Sequence, residues 1–257
     1  MKKRAADFVP PLLFGLAVLA LWEAVVRLFG VSAIILPAPS AIFLRLATSV
    51  PTLAADFVQT FRGAFAGYAL GSAAGLGVAV LIDRSPFLQR GLLPLGNFVS
   101  ALPIVGIAPI MVMWFGFDWQ SKAAVVVVMT FFPMLVNATA GLTSSGAIER
   151  DLMKTYAADY FQTLLKLRLP AALPFVFNAL KINTTLAMIG AIVAEFFGTP
   201  TVGMGFRIST EVGHLSIDMV WATVVVAAVA GSTFYAIVAL IERRATFWHA
   251  SYRARNG

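Results

Sequence analysis

Residues 151–174 read DLMKTYAADYFQTLLKLRLPAALP, a charged stretch set between long apolar runs. Its apolar positions, Leu152, Met153, Tyr156, Ala157, Tyr160, Phe161, Leu164 and Leu165, recur as i, i+1, i+4, i+5. That is one stripe of an amphipathic helix. The other face carries Asp151, Lys154, Thr155, Asp159, Gln162, Thr163 and Lys166, acidic first and basic last, as the helix dipole favours. Pro170 is expected to stop this helix and Pro174 to open the next element at its first turn. The pattern therefore predicts one helix over residues 149–170. A lipid surface would call for a mainly basic polar face. Mixed charge, with Tyr156, Tyr160 and Phe161 on the apolar side, fits a groove in a protein partner better.

The surrounding composition sets the scale. Of 257 residues, 60% are hydrophobic and 12% charged, and the mean hydropathy is +0.86. Soluble domains carry about 25% charged residues. A crossing helix needs about 20 mainly apolar residues. Six stretches qualify, at 8–29, 62–82, 92–115, 123–142, 174–197 and 217–241. The fold class expected is all-α, a single transmembrane domain over residues 1–257. The polar joints DRSPFLQR and GFDWQSK separate the second, third and fourth stretches. Connections rich in Pro, Gly and Ser occupy 30–61 and 198–216. The opening MKKRAADF resembles a signal peptide, but the run behind it includes Glu23 and Arg27 and no small-residue cleavage site, so it is read as a retained first span.

Lys and Arg orient such a protein. With both termini cytoplasmic, Lys2, Lys3, Arg4, Arg84, Arg90, Arg150, Lys154, Lys166, Arg168, Arg243, Arg244, Arg253 and Arg255 fall inside. Only Arg45, Arg62, Lys122 and Arg207 fall outside. The same placement, at the ends of apolar segments, argues against a nucleic-acid surface despite the net charge of +7. Without cysteine there are no disulfides or thiolate sites, and His214 and His249 are too far apart in sequence to suggest a metal site. No metal or cofactor is expected.

Inside the spans, Gly63, Gly67, Gly71 and Gly75 keep a strict four-residue spacing and share one helix face. Such a face lets another backbone approach, either within the subunit or between subunits. The third stretch, ALPIVGIAPIMVMWFGFDW, contains Pro103, Gly106 and Pro109. Broken helices at membrane depth either line a transport path or merely kink a packing helix. Met111 and Met113 follow the break. Ionisable residues in spans are functional candidates by default. Lys181, with Asn178, Asn183 and Thr184 nearby, either snorkels and pairs or lines a path. Glu195 sits near the outer end of the same span. Glu23 and Arg27 form an i, i+4 pair, and Asn137 suits an interhelical hydrogen bond. The candidate path is thus Pro103, Pro109, Met111, Met113, Asn137, Asn178, Lys181, Asn183, Thr184 and Glu195. The glycines of GTPTVGMGF suit a tight loop at the outer mouth, as a gate or a protein contact.

The stretch at 151–174 resembles the EAA loop of ABC importer permeases, whose pattern reads E-A-A, three residues, Gly, nine residues, an apolar residue, x, Leu-Pro. Counted back from Leu169–Pro170, Asp151 stands at the Glu position, Leu152 and Met153 at the two Ala positions, Ala157 at the Gly position and Leu167 at the apolar position. ILPAPSAIF, ALPIVGIAPIMVMWFG and AMIGAIVAEFFGTPTVGMGFRI are similar to the nitrate/sulfonate/taurine branch of that family, and the resemblance covers about residues 10–245. It implies a type I importer permease in the bacterial inner membrane, paired with a second permease subunit as a homodimer or a close heterodimer. Two cytoplasmic ATP-binding subunits would dock at coupling helices, and an extracytoplasmic binding protein would deliver the solute. The coupling residues implied are Asp151, Leu152, Met153, Tyr156, Ala157, Tyr160, Phe161, Leu164, Leu169 and Pro170. The residues agree with this division of labour, because no G-x-x-x-x-G-K-[ST] stretch is present to hold ATP phosphates. For the solute, the 181–207 stretch resembles permeases for thiamine-precursor pyrimidines or related heterocycles. Sulfonates, taurine and nitrate are the alternatives within the family. An ion-coupled secondary transporter would need paired intramembrane carboxylates, and an enzyme would need a catalytic constellation. Neither is evident in the sequence.

Overall fold

The computed structural model describes residues 2–100, 102–198 and 201–247, and these contain helices and no strand. Arg253, Arg255 and His249 lie outside the described residues. The helices are α1 (Lys2–Leu28), α2 (Pro39–Thr48), α3 (Val50–Ile82), α4 (Pro86–Ser100), α5 (Ile104–Phe115), α6 (Trp119–Thr143), α7 (Ala147–Thr155), α8 (Tyr160–Thr163), α9 (Leu169–Glu195), α10 (Met204–Gly213) and α11 (Ile217–Ala245). A π turn, Leu164–Arg168, joins α8 to α9.

Five of the described helical stretches are long and apolar enough to cross a membrane: Val9–Leu28, Val50–Ile82, Trp119–Thr143, Tyr160–Glu195 and Ile217–Ala245. The expected third span is interrupted. α4 ends at Ser100, and Pro103 is the N-cap of α5 in an extended conformation. Pro103 disfavours helix at the preceding residue, which separates the two pieces. α5 alone has 12 residues, or about 18 Å, against a hydrocarbon core of about 30 Å.

The expected long connections are also corrected. α3 starts at Val50 rather than at residue 62, with Pro51 in its first turn, and α10 lies within 198–216. The added turns of α3 carry Asp56 and Gln59, which depress local hydropathy. They are stable there because Asp56 and Thr60 find partners on α10. α6 begins at Trp119, so Lys122, expected in an outer joint, is 2% exposed within a helix.

The core is a three-helix block of α3, α6 and α9, with α11 packed on its side. The glycine face of α3 fits against α6. A Cβ on Gly67 would lie 2.5 Å from the Cβ of Val126, and one on Gly71 would lie 2.1 Å from the Oγ1 of Thr130. Gly63 and Gly75 meet Lys122 and Phe131 of the same helix. Lipid tails are as apolar as side chains, so helices in a bilayer gain by close approach, and small residues provide it. Asn183, fully buried on α9, donates to the Ser72 hydroxyl of α3 (2.9 Å) and to the Thr130 carbonyl of α6 (2.9 Å), joining all three helices. α1 packs lightly; Val26 is its buried residue among those whose side chains are described. Its Glu23 bonds Arg27 (2.5 Å) and also accepts from the Ser40 backbone (3.0 Å).

Candidate functional site

At one end of the block, α7 and α8 form a hook between α6 and α9. The expected single helix over 149–170 is divided. α7 closes with a Schellman motif: Ala158 N–H donates to the Met153 carbonyl (3.0 Å) and Ala157 N–H to that of Lys154 (2.8 Å). The closure puts Ala157 at φ 51, the left-handed region that glycine enters without strain. Ala157 is the position where the loop pattern reads Gly. α8 then restarts with a capping box, in which Asp159 Oδ1 accepts from Gln162 N–H (2.7 Å) and Gln162 Oε1 from Asp159 N–H (3.1 Å). Pro170 does not stop the helix. It follows the π turn directly and sits in the first turn of α9, and Pro174 lies within α9. A proline cannot donate to the carbonyl four residues back, and its ring crowds that group. The wider π turn gives that carbonyl room.

This geometry splits the predicted coupling residues. No residue of α7 is buried. Ile148 (85% exposed), Leu152 (54%) and Tyr156 (76%) form an outward row at i, i+4, i+8, with Phe161 (60%) beyond it. Asp151 is exposed as well, and its carboxyl is held below the usual range by the hydrogen bond from Lys154 (2.9 Å). Tyr160, Leu164 and Leu169 instead face the bundle, where Leu164 packs with Ile82 and Leu142. Their inward direction comes from the α7–α8 bend, which rotates the second half of the stripe away from the first. Ile148 lies just outside the predicted 149–170 stretch, although its i, i+4 relation to Leu152 extends the same stripe.

The hook is fastened by Asp83, the C-cap of α3. Arg168 grips it bidentately (2.6 and 2.6 Å), and the Tyr160 hydroxyl donates to it (2.9 Å). Arg168 Nε also donates to the Leu142 carbonyl at the end of α6 (2.9 Å). Arg84 lies over the rings of Tyr160 (3.9 Å) and Phe161 (4.7 Å).

At the far end of the block, side chains from α3 and α9 cap α10. Asp56 accepts from Gly203 N–H (2.9 Å), Thr60 from Met204 N–H (2.8 Å) and Glu195 from Gly205 N–H (2.7 Å). These are the donors that a helix start leaves unsatisfied. The Thr60 hydroxyl donates to Glu195 (2.8 Å), and Arg207 neutralises Asp56 (2.8 Å). That contact holds Arg207 still more firmly protonated than an ordinary arginine. Gly203 and Gly205 are required by proximity. A Cβ on Gly205 would lie 2.2 Å from the Ile192 carbonyl, and Gly203 has φ +147. Lys122 Nζ donates to the carbonyls of Phe117 (2.5 Å) and Gly198. Asp118, the N-cap of α6, is held below the usual carboxyl range by Trp119 N–H (2.8 Å) and Gln59 (3.1 Å).

Between the ends, the predicted path residues fall into three places. Asn183, Thr184 and Glu195 are buried in the bundle. Pro103 and Met113 are exposed on the α5 side, while Pro109 and Met111 are partly covered. Asn178 and Lys181 line a trough between α9 and α11. One part, about 360 Å³, is bounded by Asn178, Lys181, Ile182, Thr185, Leu186 and Tyr235. It continues into a second part of about 520 Å³ through the shared Thr185 and Tyr235. Lys181 pairs with Glu242 of α11 (2.7 Å). Asn137 donates to the Pro133 carbonyl (2.8 Å) and accepts from Asn178 (3.2 Å), linking α6 to α9. Thr185 stands beside Lys181 in the sequence, but nothing there marks Tyr235 and Glu242, since their partners are remote. Among the described residues no three His, Asp or Glu side chains gather to hold a metal ion.

Residues 67–247 match the family described as "Binding-protein-dependent transport system inner membrane component". Similar curated proteins include a probable ABC transporter permease protein of Haemophilus influenzae, 32% identical over 84% of this chain and 88% of the relative. A putative aliphatic sulfonates transport permease protein of Bacillus subtilis is 29% identical over 94% of this chain and 88% of the relative. The formylaminopyrimidine transport permease protein of Halalkalibacterium halodurans is 30% identical over 96% of this chain and 98% of the relative. Among solved structures, a chain of the MetNI methionine ABC transporter in an inward-facing conformation superposes with a TM-score of 0.66. The identity is 19%, and the match covers 77% of this chain and 98% of that one.

Proposed function

This chain belongs to the family of inner-membrane components of binding-protein-dependent transport systems, a multi-pass bacterial membrane protein, and on that premise we propose that it is the permease subunit of an ATP-driven importer. Two copies form the membrane unit. Each crosses six times as a single domain with both termini cytoplasmic, α4 and α5 together supplying the third crossing. Each α7 docks a separate ATP-binding subunit, and an extracytoplasmic binding protein delivers solute at the α10 end. The observation that carries the docking role is the outward row Ile148, Leu152, Tyr156 and Phe161 on a hook of which α7 buries nothing. Isolated exposed apolar residues need no explanation, but an aligned row on an otherwise polar helix is a helix-in-groove surface. The chain's lack of a phosphate-binding loop supports placing ATP hydrolysis on that partner.

The α9–α11 trough is the half of the path contributed by each copy. Lys181 is neutralised by Glu242, and Asn178, Thr185 and Tyr235 add hydrogen-bonding groups and a ring. That lining favours a neutral planar solute over an anion. It agrees with a pyrimidine of the thiamine-precursor type or a related heterocycle. A sulfonate, taurine or nitrate substrate is the second reading, favoured by the sulfonate relative.

Replacing Leu152 and Tyr156 together by Asp should abolish co-purification of its cognate ATP-binding subunit; retained assembly would refute the docking role. Uptake by this chain alone in liposomes would refute the importer reading. Calorimetric titration of the neighbouring binding protein with formylaminopyrimidine and with an alkanesulfonate decides between the solutes.

A further inference from the structure

The hook is covalently joined to α6 and α9 but not to α3. Its polar tie to α3 is Asp83, whose side chain is only 4% exposed and takes three donors, two from Arg168 and one from Tyr160. These donors stand at the two ends of the segment that contains the π turn. Bidentate, charge-assisted contacts fix direction as well as distance. Leu164 adds an apolar contact to the same end of α3, against Ile82, but such contacts slide more readily. At its other end the same helix carries Asp56 and Thr60, which hold the first turn of α10. From Asp56 to Asp83 the helix rises about 40 Å, and its glycine face is wedged along α6, so it moves as a rod.

We propose that Asp83 is the positioning residue that transmits hook displacement to α3, and through α3 to the cap of α10 at the opposite membrane face. The route is Tyr160 and Arg168 to Asp83, then along α3 to Asp56 and Thr60. Contact alone does not establish coupling, which has to be measured as a change in response at the distant end. The proposal rests on the reading that α7 docks the ATP-binding subunit.

The test uses the complex with its ATP-binding subunit in nanodiscs. The chain has no cysteine, so Val212→Cys, at a 49% exposed position on α10, gives each copy of this chain one thiol, and the complex is assembled with a cysteine-free ATP-binding subunit. Its maleimide labelling rate is read with and without ATP plus vanadate. With Asp83 intact, the nucleotide should change the rate by about fivefold or more, the lower end of typical allosteric coupling. Asp83→Asn should reduce that change to less than about twofold while ATP-subunit co-purification and basal hydrolysis persist, and Asp83→Glu should restore part of it. A merely structural role would lower assembly and response together. Tyr160→Phe removes one donor without disturbing the Arg168 pair and should give an intermediate response, which decides the matter if Asp83→Asn does not assemble. A full response in both Asp83→Asn and Tyr160→Phe overturns the proposal, as does a full response in Tyr160→Phe when Asp83→Asn fails to assemble. No response in the unaltered complex overturns α10 as the driven end. Failure of the unaltered chain to co-purify its ATP-binding subunit removes the docking premise itself, and the inference with it.

Discussion

The two ends of α3 use a carboxylate in different ways. At the hook, Asp83 meets side chains only, Arg168 and Tyr160, beside an exposed surface. At the α10 end, Asp56 meets the Gly203 backbone and Arg207, and its side chain is 1% exposed. The side-chain tie fixes the direction of the hook against α3 through the Arg168 fork, but leaves the two backbones apart. Backbone donors demand that the loop itself come within hydrogen-bonding distance, which is why Gly203 and Gly205 stand there. The hook end is joined through side chains, and the α10 end holds backbone to one geometry.

Four substitutions break or sharpen that contrast. Gly205→Val at the α10 end should be the most damaging, because its Cβ would enter the Ile192 carbonyl and backbone cannot give way. Thermal unfolding in detergent should report a loss of about 3 kcal/mol or more, as overpacking of a tight site does. Asp56→Asn leaves Arg207 without its buried partner and should cost about 3 kcal/mol, read by the same melt. Asp83→Asn should cost less, about 2 kcal/mol, because Arg168 keeps the Leu142 carbonyl and Asp83, unlike Asp56, holds no backbone donor of another element among the described residues. A larger loss at Asp83 than at Asp56 would reverse the contrast. The smallest effect should have the opposite sign. Ala157→Gly relieves a left-handed alanine and should stabilise the hook by about 1 kcal/mol, seen as slower amide exchange in α7.

The helical membrane class was legible from apolar run length alone, as was the interrupting segment at 151–174. The breaks within it were less so. The stripe Leu152, Tyr156, Tyr160, Leu164 reads as one face, yet the Schellman turn at Ala157 sends Tyr160 and Leu164 inward while Leu152 and Tyr156 point out. Sequence periodicity presumes a continuous helix, and one residue with positive φ cancels it. Likewise Pro170 reads as a stop, and the structure absorbs it in a π turn. In the third apolar run Pro103 marked the break, whereas Pro109 lies inside α5 without ending it, and the sequence did not show that α5 would be too short to cross by itself.

The sequence by itself determined which segments must leave water, that no phosphate loop is present, and that one polar segment is amphipathic, because hydropathy and periodicity are sums over neighbours in the chain. Tertiary structure alone decided the pairings Asp83 with Arg168, Thr60 with Glu195, Asp56 with Arg207 and Lys181 with Glu242. A charge in an apolar segment announces that it needs a partner, since leaving it unpaired is costly. Which partner it finds depends on which helices pack and in what register, and that follows from small-residue faces such as Gly63–Gly75 meeting α6 across the bundle.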